Sequence, residues 1–145
     1  MSKNDLLKLD NQLCFAFYAC SKEIIRQYKP FLDELGLTYT QYLTMLVLWE
    51  ASPISVKELG DQLYLDSGTL TPLLKKMESA GYIRRRRDSA DQRSVRIHVT
   101  PKGQALREKA LEIPEKIFCS TGLTFDDAVI LREQIKKLIR RMNQL

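Results

Sequence analysis

Residues 55–100, SVKELGDQLYLDSGTLTPLLKKMESAGYIRRRRDSADQRSVRIHVT, constrain the fold more than any other part of the chain. Ser55 and Glu58 carry the spacing of a capping box, which predicts a short helix over 56–63 with Val56, Leu59 and Leu63 turned inward. A second helix is expected from Ser67 to just before Gly81, because Leu70, Leu73, Leu74 and Met77 form one stripe at i, i+3, i+4 and i+7. The pattern then changes period. Val95, Ile97 and Val99 alternate with Arg96 and His98, so 82–87 and 94–100 read as two strands joined by the turn DSADQ. Between Arg84 and Arg96 six arginines face two aspartates, which supplies +4 of the chain's formal +5. A helix pair followed by a hairpin this basic has the electrostatic footprint of a nucleic-acid reader.

Helices are expected on both sides of this module. Apolar residues from Leu6 to Leu35 stand close to helical spacing, with Pro30 a bend or local break and Gly36 as the stop. Thr38 and Gln41 form another capping box, opening a helix over 39–51 that is apolar nearly all round and therefore buried. Trp49 on it is a candidate to line a ligand cavity. Thr100 and Pro101 read as N-cap and first residue of a helix running to about Cys119, kinked at Pro114. After Thr121 and Gly122, Thr124 opens the last helix, with Asp126 and Asp127 at its positive end. The fold class is α+β, mostly α.

Several function classes are excluded or disfavoured. The longest strongly apolar run, Leu43 to Trp49, is seven residues, far short of a membrane span, and residues 1–10 have no signal-peptide core. No membrane partner is expected, and the default location is the cytoplasm. Three cysteines without C-x-x-C spacing form no secreted disulfide framework, and one histidine leaves a metal site almost without ligands. No metal or cofactor is expected, and His98 falls on the polar side of a strand.

Helix, turn, helix and a two-stranded wing make a winged helix-turn-helix. Its second helix enters the major groove, where Ser67, Thr69, Thr71 and Lys75, with Lys76 on the flank, reach base edges or phosphates. The wing follows the flanking backbone. Arg93 at its tip suits a narrow minor groove, and Asp91 holds that arginine in place rather than touching DNA. Only about half of Arg84 to Arg87 can share one face, Arg86 being the candidate contact. The competing reading is a solvated basic ribbon.

The stretches LYLDSGTLTPLLKKMESAGYI and RRRRDSADQRSVRIHVTPKG, with their D-x-R wing and T-x-x-G helix start, resemble the multiple-antibiotic-resistance-regulator (MarR) family of dimeric winged-helix repressors. LDNQLCFAFYACSKEIIRQYKPFLDELGLTYTQYLTMLVLWE resembles its thiol-based branch, the organic-hydroperoxide-resistance repressors; Thr40 departs where that branch has proline. The resemblance implies a single 1–145 subunit, with 5–53 and 101–145 as dimerisation helices and 55–100 as the DNA-binding module. Its implied partners are a second copy of itself, a pseudo-palindromic operator duplex and an organic hydroperoxide as oxidant. It also implies that Cys14 is the peroxide-reactive thiol, that Tyr28 and Tyr39 hydrogen-bond to it, and that Cys119 of the partner subunit resolves it as a disulfide. The cysteine chemistry agrees, since only a thiolate attacks peroxide quickly and the resulting sulfenic acid condenses with a second thiol. Cys14 and Tyr28 are fourteen residues apart, about 21 Å if the helix is unbroken before Pro30, so the tyrosine can scarcely reach the thiol of its own chain but can reach the other chain's if the terminal helices pair about a two-fold axis.

Alternatives stay open. Cys119 near a helix end could equally be packing, Cys20 has no matching role, and Tyr18 either lines the thiol pocket or belongs to a dimer seam. A repressor controlled by a small phenolic or aromatic ligand is the first rival. A thiol peroxidase leaves the basic wing unexplained, and a non-specific architectural DNA binder is the third possibility.

Overall fold

Caps, glycines and prolines set the element boundaries. The computed structural model describes residues 1–91 and 94–144. In chain order it holds α1 (Leu13–Leu35), α2 (Tyr39–Ala51), β1 (Ile54–Ser55), α3 (Val56–Leu63), α4 (Ser67–Ser79), β2 (Ile83–Arg87), β3 (Val95–Val99), α5 (Pro101–Ala110), α6 (Ile113–Ser120) and α7 (Phe125–Asn143). The chain divides into two compact units, Met1–Leu111 and Glu112–Leu145.

The first helix begins later than its apolar spacing suggests. Residues Asp5–Leu7 and Leu9–Asn11 form two 3₁₀ turns, and Gln12 is extended at φ −91° and ψ 110°. The Gln12 amide donates to the carbonyls of Leu6 and Lys8 at 2.6 and 2.9 Å, which ties those turns down and starts α1 at Leu13. Pro30 does not break the helix. It lies on the exposed side, where water can take up the carbonyl of Arg26 that the missing N–H leaves unbonded. Gly36 ends α1 in the left-handed region, φ 70°, with its N–H on the Asp33 carbonyl.

Thr38 and Gln41 make both halves of the capping box that opens α2. Tyr42, Thr44, Met45, Val47 and Leu48 of α2 are buried, as a helix apolar all round requires. Ser55 caps α3 by accepting from the Glu58 N–H. At α4 the cap is Asp66, whose carboxylate accepts from the Thr69 N–H at 2.8 Å. Leu59 of α3, Leu70, Leu74 and Met77 of α4, Ile83 and Ile97 close one core with α2. Each such side chain contributes about 1.5–3 kcal/mol on burial.

The sheet has three antiparallel strands in the order β1-β3-β2. β1, only two residues long, shows no period in the sequence and adds itself through Ile54 opposite Ile97. β2 and β3 pair from Ile83 opposite Val99 to Arg87 opposite Val95.

The T-x-x-G at the start of α5 has a steric origin. Thr100 accepts from the Gly103 N–H at 3.1 Å and donates to the Gly81 carbonyl at 2.6 Å. A β-carbon on Gly103 would collide with the Tyr82 carbonyl oxygen. Trp49, half-buried, donates its indole N–H to the Gly103 carbonyl at 3.1 Å, which fastens α2 to α5. Gly103→Ala should destabilise the protein by about 3 kcal/mol, at the upper end of overpacking costs. Urea unfolding checks this, read as a lower midpoint at unchanged slope.

A single helix from Thr100 to Cys119 is not formed. α5 stops at Ala110 and α6 starts at Ile113, with Pro114 in its first turn. The ring of Pro114 cannot share a helix with the carbonyl four residues before it, which belongs to Ala110. In the second unit Thr124 caps α7 by accepting from the Asp127 N–H, behind Gly122 at φ 69°. No helix among the described residues is long and apolar enough to cross a membrane.

Candidate nucleic-acid interface and thiol site

Asp66 presents the first turn of α4, and Ser67, Thr69, Thr71, Lys75 and Lys76 are all exposed on that helix. Two of the hydroxyls already have work. Thr71 donates to the Ser67 carbonyl at 2.8 Å, and Thr69 also hydrogen-bonds the Asp66 carboxylate through its side chain. Both keep acceptor lone pairs outward, while Ser67 and the two lysines keep donors there.

In the wing, the register puts Arg84 opposite His98 and Arg86 opposite Arg96, so these four cationic or ionisable side chains share one face. Arg84 and Arg86 are exposed. Arg85 faces the other way. Its backbone N–H, Nε and guanidinium donate to the Glu78 carboxylate at 2.9, 3.3 and 3.0 Å. The base of the wing turn is organised by Asp88, which accepts from the Ala90 N–H at 2.9 Å and pairs with Arg96 at 3.5 Å. Those contacts, the backbone one foremost, hold the Asp88 carboxyl below the usual range. The Asp91 carbonyl accepts from the Ser94 N–H at 3.0 Å. Arg93, and with it the expected hold of Asp91 on Arg93, lies outside the described residues.

Cys14 sits in the first turn of α1 and is exposed. Leu13, Phe17 and Tyr18 around it are exposed too, and α1 buries only Leu32 and Leu35 near its far end. Tyr18 stands one turn beyond the thiol, with the Lys22 ammonium 5.1 Å from its ring. Tyr28 and Tyr39 come together elsewhere, with ring centroids 5.0 Å apart. Tyr42, which sequence reasoning left out, completes the cluster at 5.6 Å from Tyr28 and 6.4 Å from Tyr39. Its signal was present, since it stands one turn after Tyr39 on the same face of α2.

Burial, reinforced by the two neighbouring phenols, pushes the Tyr28 hydroxyl up to about 12 from the ordinary 10.0. Burial also raises Tyr39 and Tyr42. All three therefore remain O–H donors at any physiological pH. Because the folded value of Tyr28 exceeds the unfolded one, its contribution to stability is complete below pH 10 and is lost as pH climbs toward about 12. Tyr28→Phe should flatten that alkaline loss, read by denaturant unfolding across the pH series.

α1 is continuous from Leu13 to Leu35, so Cys14 is about 21 Å from Tyr28 of its own chain. Cys119 lies exposed in the last turn of α6, in the second unit. Cys20 is also exposed, so in the single chain it does not pack in the core. No group of histidines, cysteines and carboxylates able to hold a metal occurs among the described residues.

The family model for the SarA/Rot transcriptional regulators matches residues 26–110, from the middle of α1 to the end of α5. The organic hydroperoxide resistance transcriptional regulator of Bacillus subtilis (strain 168) is 48% identical over 143 residues, covering 99% of this chain and 97% of that protein. Among solved structures, reduced AbfR bound to DNA is 34% identical with a TM-score of 0.79, covering 97% of this chain and 99% of that one. AbfR with its disulfide formed is 35% identical with a TM-score of 0.66, covering 94% and 96%. AbfR comes from Staphylococcus epidermidis. The relatives are transcriptional regulators rather than enzymes, and with similarity of this extent the chain belongs to the MarR/SarA family of winged-helix transcriptional regulators, on its organic-hydroperoxide-resistance branch.

Proposed function

We propose that this protein is a cytoplasmic, homodimeric repressor that releases a pseudo-palindromic operator when an organic hydroperoxide oxidises Cys14. The observation that carries the reading is the separation, along one continuous helix, of an exposed thiol from Tyr28, beside which Tyr39 of α2 packs. A second copy, packed on the apolar residues that α1 leaves exposed, completes the thiol pocket by bringing Tyr28 and Tyr39 of the partner subunit to Cys14. Residues 5–53 and 101–145 then serve as dimerisation helices. Residues 55–100 dock on DNA, with α4 in the major groove and the wing face of Arg86 on the backbone.

The Cys14 thiolate attacks the peroxide's outer oxygen, the O–O bond breaks, and the alkoxide leaves as an alcohol after taking a proton. The sulfenic acid then condenses with Cys119 of the partner subunit, forming the S–S bond and releasing water. Protonated phenols favour the thiolate and can donate to the departing alkoxide. Support from relatives comes from AbfR, solved both reduced on DNA and with a disulfide formed.

Non-reducing mass spectrometry after one equivalent of tert-butyl hydroperoxide tests the chemistry. A peptide joining Cys14 to Cys119 is expected. Oxidation of Cys14 alone would mean a one-cysteine route, and DNA release with Cys14 still a thiol would contradict the reading.

A second reading has one observation in its favour. A largely apolar groove of about 480 Å³ beside Tyr39, lined by Ile25, Leu32 and Leu37 together with Lys22 and the Asp33-paired Lys29, suits a small aromatic or phenolic ligand. Release of the operator from a Cys14→Ser variant by a small aromatic compound such as benzoate, without peroxide, would favour this ligand-controlled alternative.

A further inference from the structure

From Ser67 to Arg87 the chain carries six basic residues and one acid, Glu78. On electrostatic grounds a carboxylate there is a handicap to a DNA-binding surface. Its place within α4 is also unfavourable, because the last turn of a helix exposes carbonyl oxygens that repel a negative group.

The geometry explains its presence. Glu78 Oε2 accepts from the Arg85 backbone N–H at 2.9 Å, while Oε1 accepts from Nε and Nη2 at 3.3 and 3.0 Å. The same side chain therefore grips strand β2 by its main chain and by its arginine. Arg85 is drawn into the cleft between helices and wing, beside Thr71 and Leu74 of α4 and Val95 of β3. The register then fixes the outward direction of Arg84 and Arg86, since neighbours along a strand point to opposite faces. The backbone N–H of Arg85, ahead of its guanidinium, holds the Glu78 carboxyl below the usual range, so the clamp stays ionised near neutrality.

We propose that Glu78 is a positioning residue for DNA readout, setting the angle between the wing and α4 so that the basic surface becomes sequence-selective. It touches no DNA itself; it acts through Arg85. The inference rests on the DNA-binding reading above and adds to it a residue outside the DNA-facing surface.

Charge and position predict opposite results, which makes the test sharp. The full-length reduced protein, Glu78→Ala and Glu78→Gln are titrated against a duplex selected by the wild type from a random pool and against its scrambled version. Both variants gain one unit of positive charge per subunit, but only glutamine keeps an oxygen for the Arg85 N–H. The expected result for Glu78→Ala is equal or tighter binding to the scrambled duplex and a fall of about tenfold or more in discrimination, comparable to one mismatched base pair. Glu78→Gln should retain most of the discrimination. Circular dichroism confirms that each variant is folded. If alanine keeps the wild-type ratio, or glutamine loses as much as alanine, the positioning role is wrong. A wild type that binds neither duplex, or both alike, overturns the DNA reading itself and takes this proposal with it.

Discussion

Cys14→Ser should bind the selected duplex as tightly as the reduced wild type and stay bound through an excess of organic hydroperoxide. A serine hydroxyl is nearly isosteric with the thiol but lacks a thiolate that could attack the O–O bond. The thiol lies on α1, away from the exposed groups of α4 and the wing, so the DNA-facing side chains are unchanged. In the wild type the same treatment should weaken binding about a hundredfold, which needs only about 2.7 kcal/mol of differential stability between two conformers. A covalent bond between subunits supplies that readily, since the two recognition helices must meet grooves about 34 Å apart. Cys119→Ser separates the steps: Cys14 should still be oxidised, without the inter-subunit cross-link, and should go on to sulfinic acid in excess peroxide. Fluorescence anisotropy with labelled duplex reads the release, and mass spectrometry reads the sulfur.

The second large effect is expected on the DNA face, where two kinds of interaction part company. Arg86→Ala should weaken selected and scrambled duplexes alike and lower the salt dependence, by about 0.9 in log–log slope for each phosphate no longer neutralised and so about twice that for a dimer. Lys75→Ala should instead cost about 1–3 kcal/mol per half-site on the selected duplex if it reads a base edge, with a smaller effect on the scrambled one. The double variant should fall to the affinity of non-specific binding. Arg85→Ala, by contrast, should reduce selectivity more than salt slope, because its guanidinium is already held by Glu78. A salt series on each variant distinguishes these cases.

Local signals explain how much of this was readable in advance. The caps at Thr38, Ser55, Thr100 and Thr124, the stop at Gly36 and the period change near Tyr82 all act within a few residues, so they stand in the sequence plainly. What was missed depends on tertiary interactions that spacing does not encode. The helical pattern of Leu6 and Leu9 is overridden by the Gln12 amide closing two 3₁₀ turns. β1 is too short to show a period and exists only because β3 lies beside it. The break before Ile113 was within reach, since Pro114 bars the Ala110 carbonyl from its helix, but a kink and a break look alike in sequence.

The site divides in the same way. Arginine alternation implied that Arg84 to Arg87 cannot all share one face, and in the structure Arg85 turns inward onto Glu78 while Arg84 and Arg86 are exposed. That Glu78 is the residue holding Arg85, or that Asp88 accepts from the Ala90 N–H at the base of the turn, follows from folding across the helix-strand junction and not from any motif. Tyr28 and Tyr39 meet because α1 and α2 pack as a hairpin, and Tyr42 joins them from one turn further along. The role expected of Cys14 came from resemblance alone, and the structure adds that the thiol is exposed at the start of α1, far from its buried Leu32 and Leu35.

The most direct test is one reversible titration. Reduced protein on its selected duplex is given stoichiometric tert-butyl hydroperoxide, then dithiothreitol, with anisotropy followed throughout. The expected trace falls as one oxidising equivalent per Cys14 is consumed and recovers fully on reduction, with the Cys14–Cys119 peptide present only in between. A trace that ignores peroxide, or that falls equally in Cys14→Ser, would contradict a thiol switch.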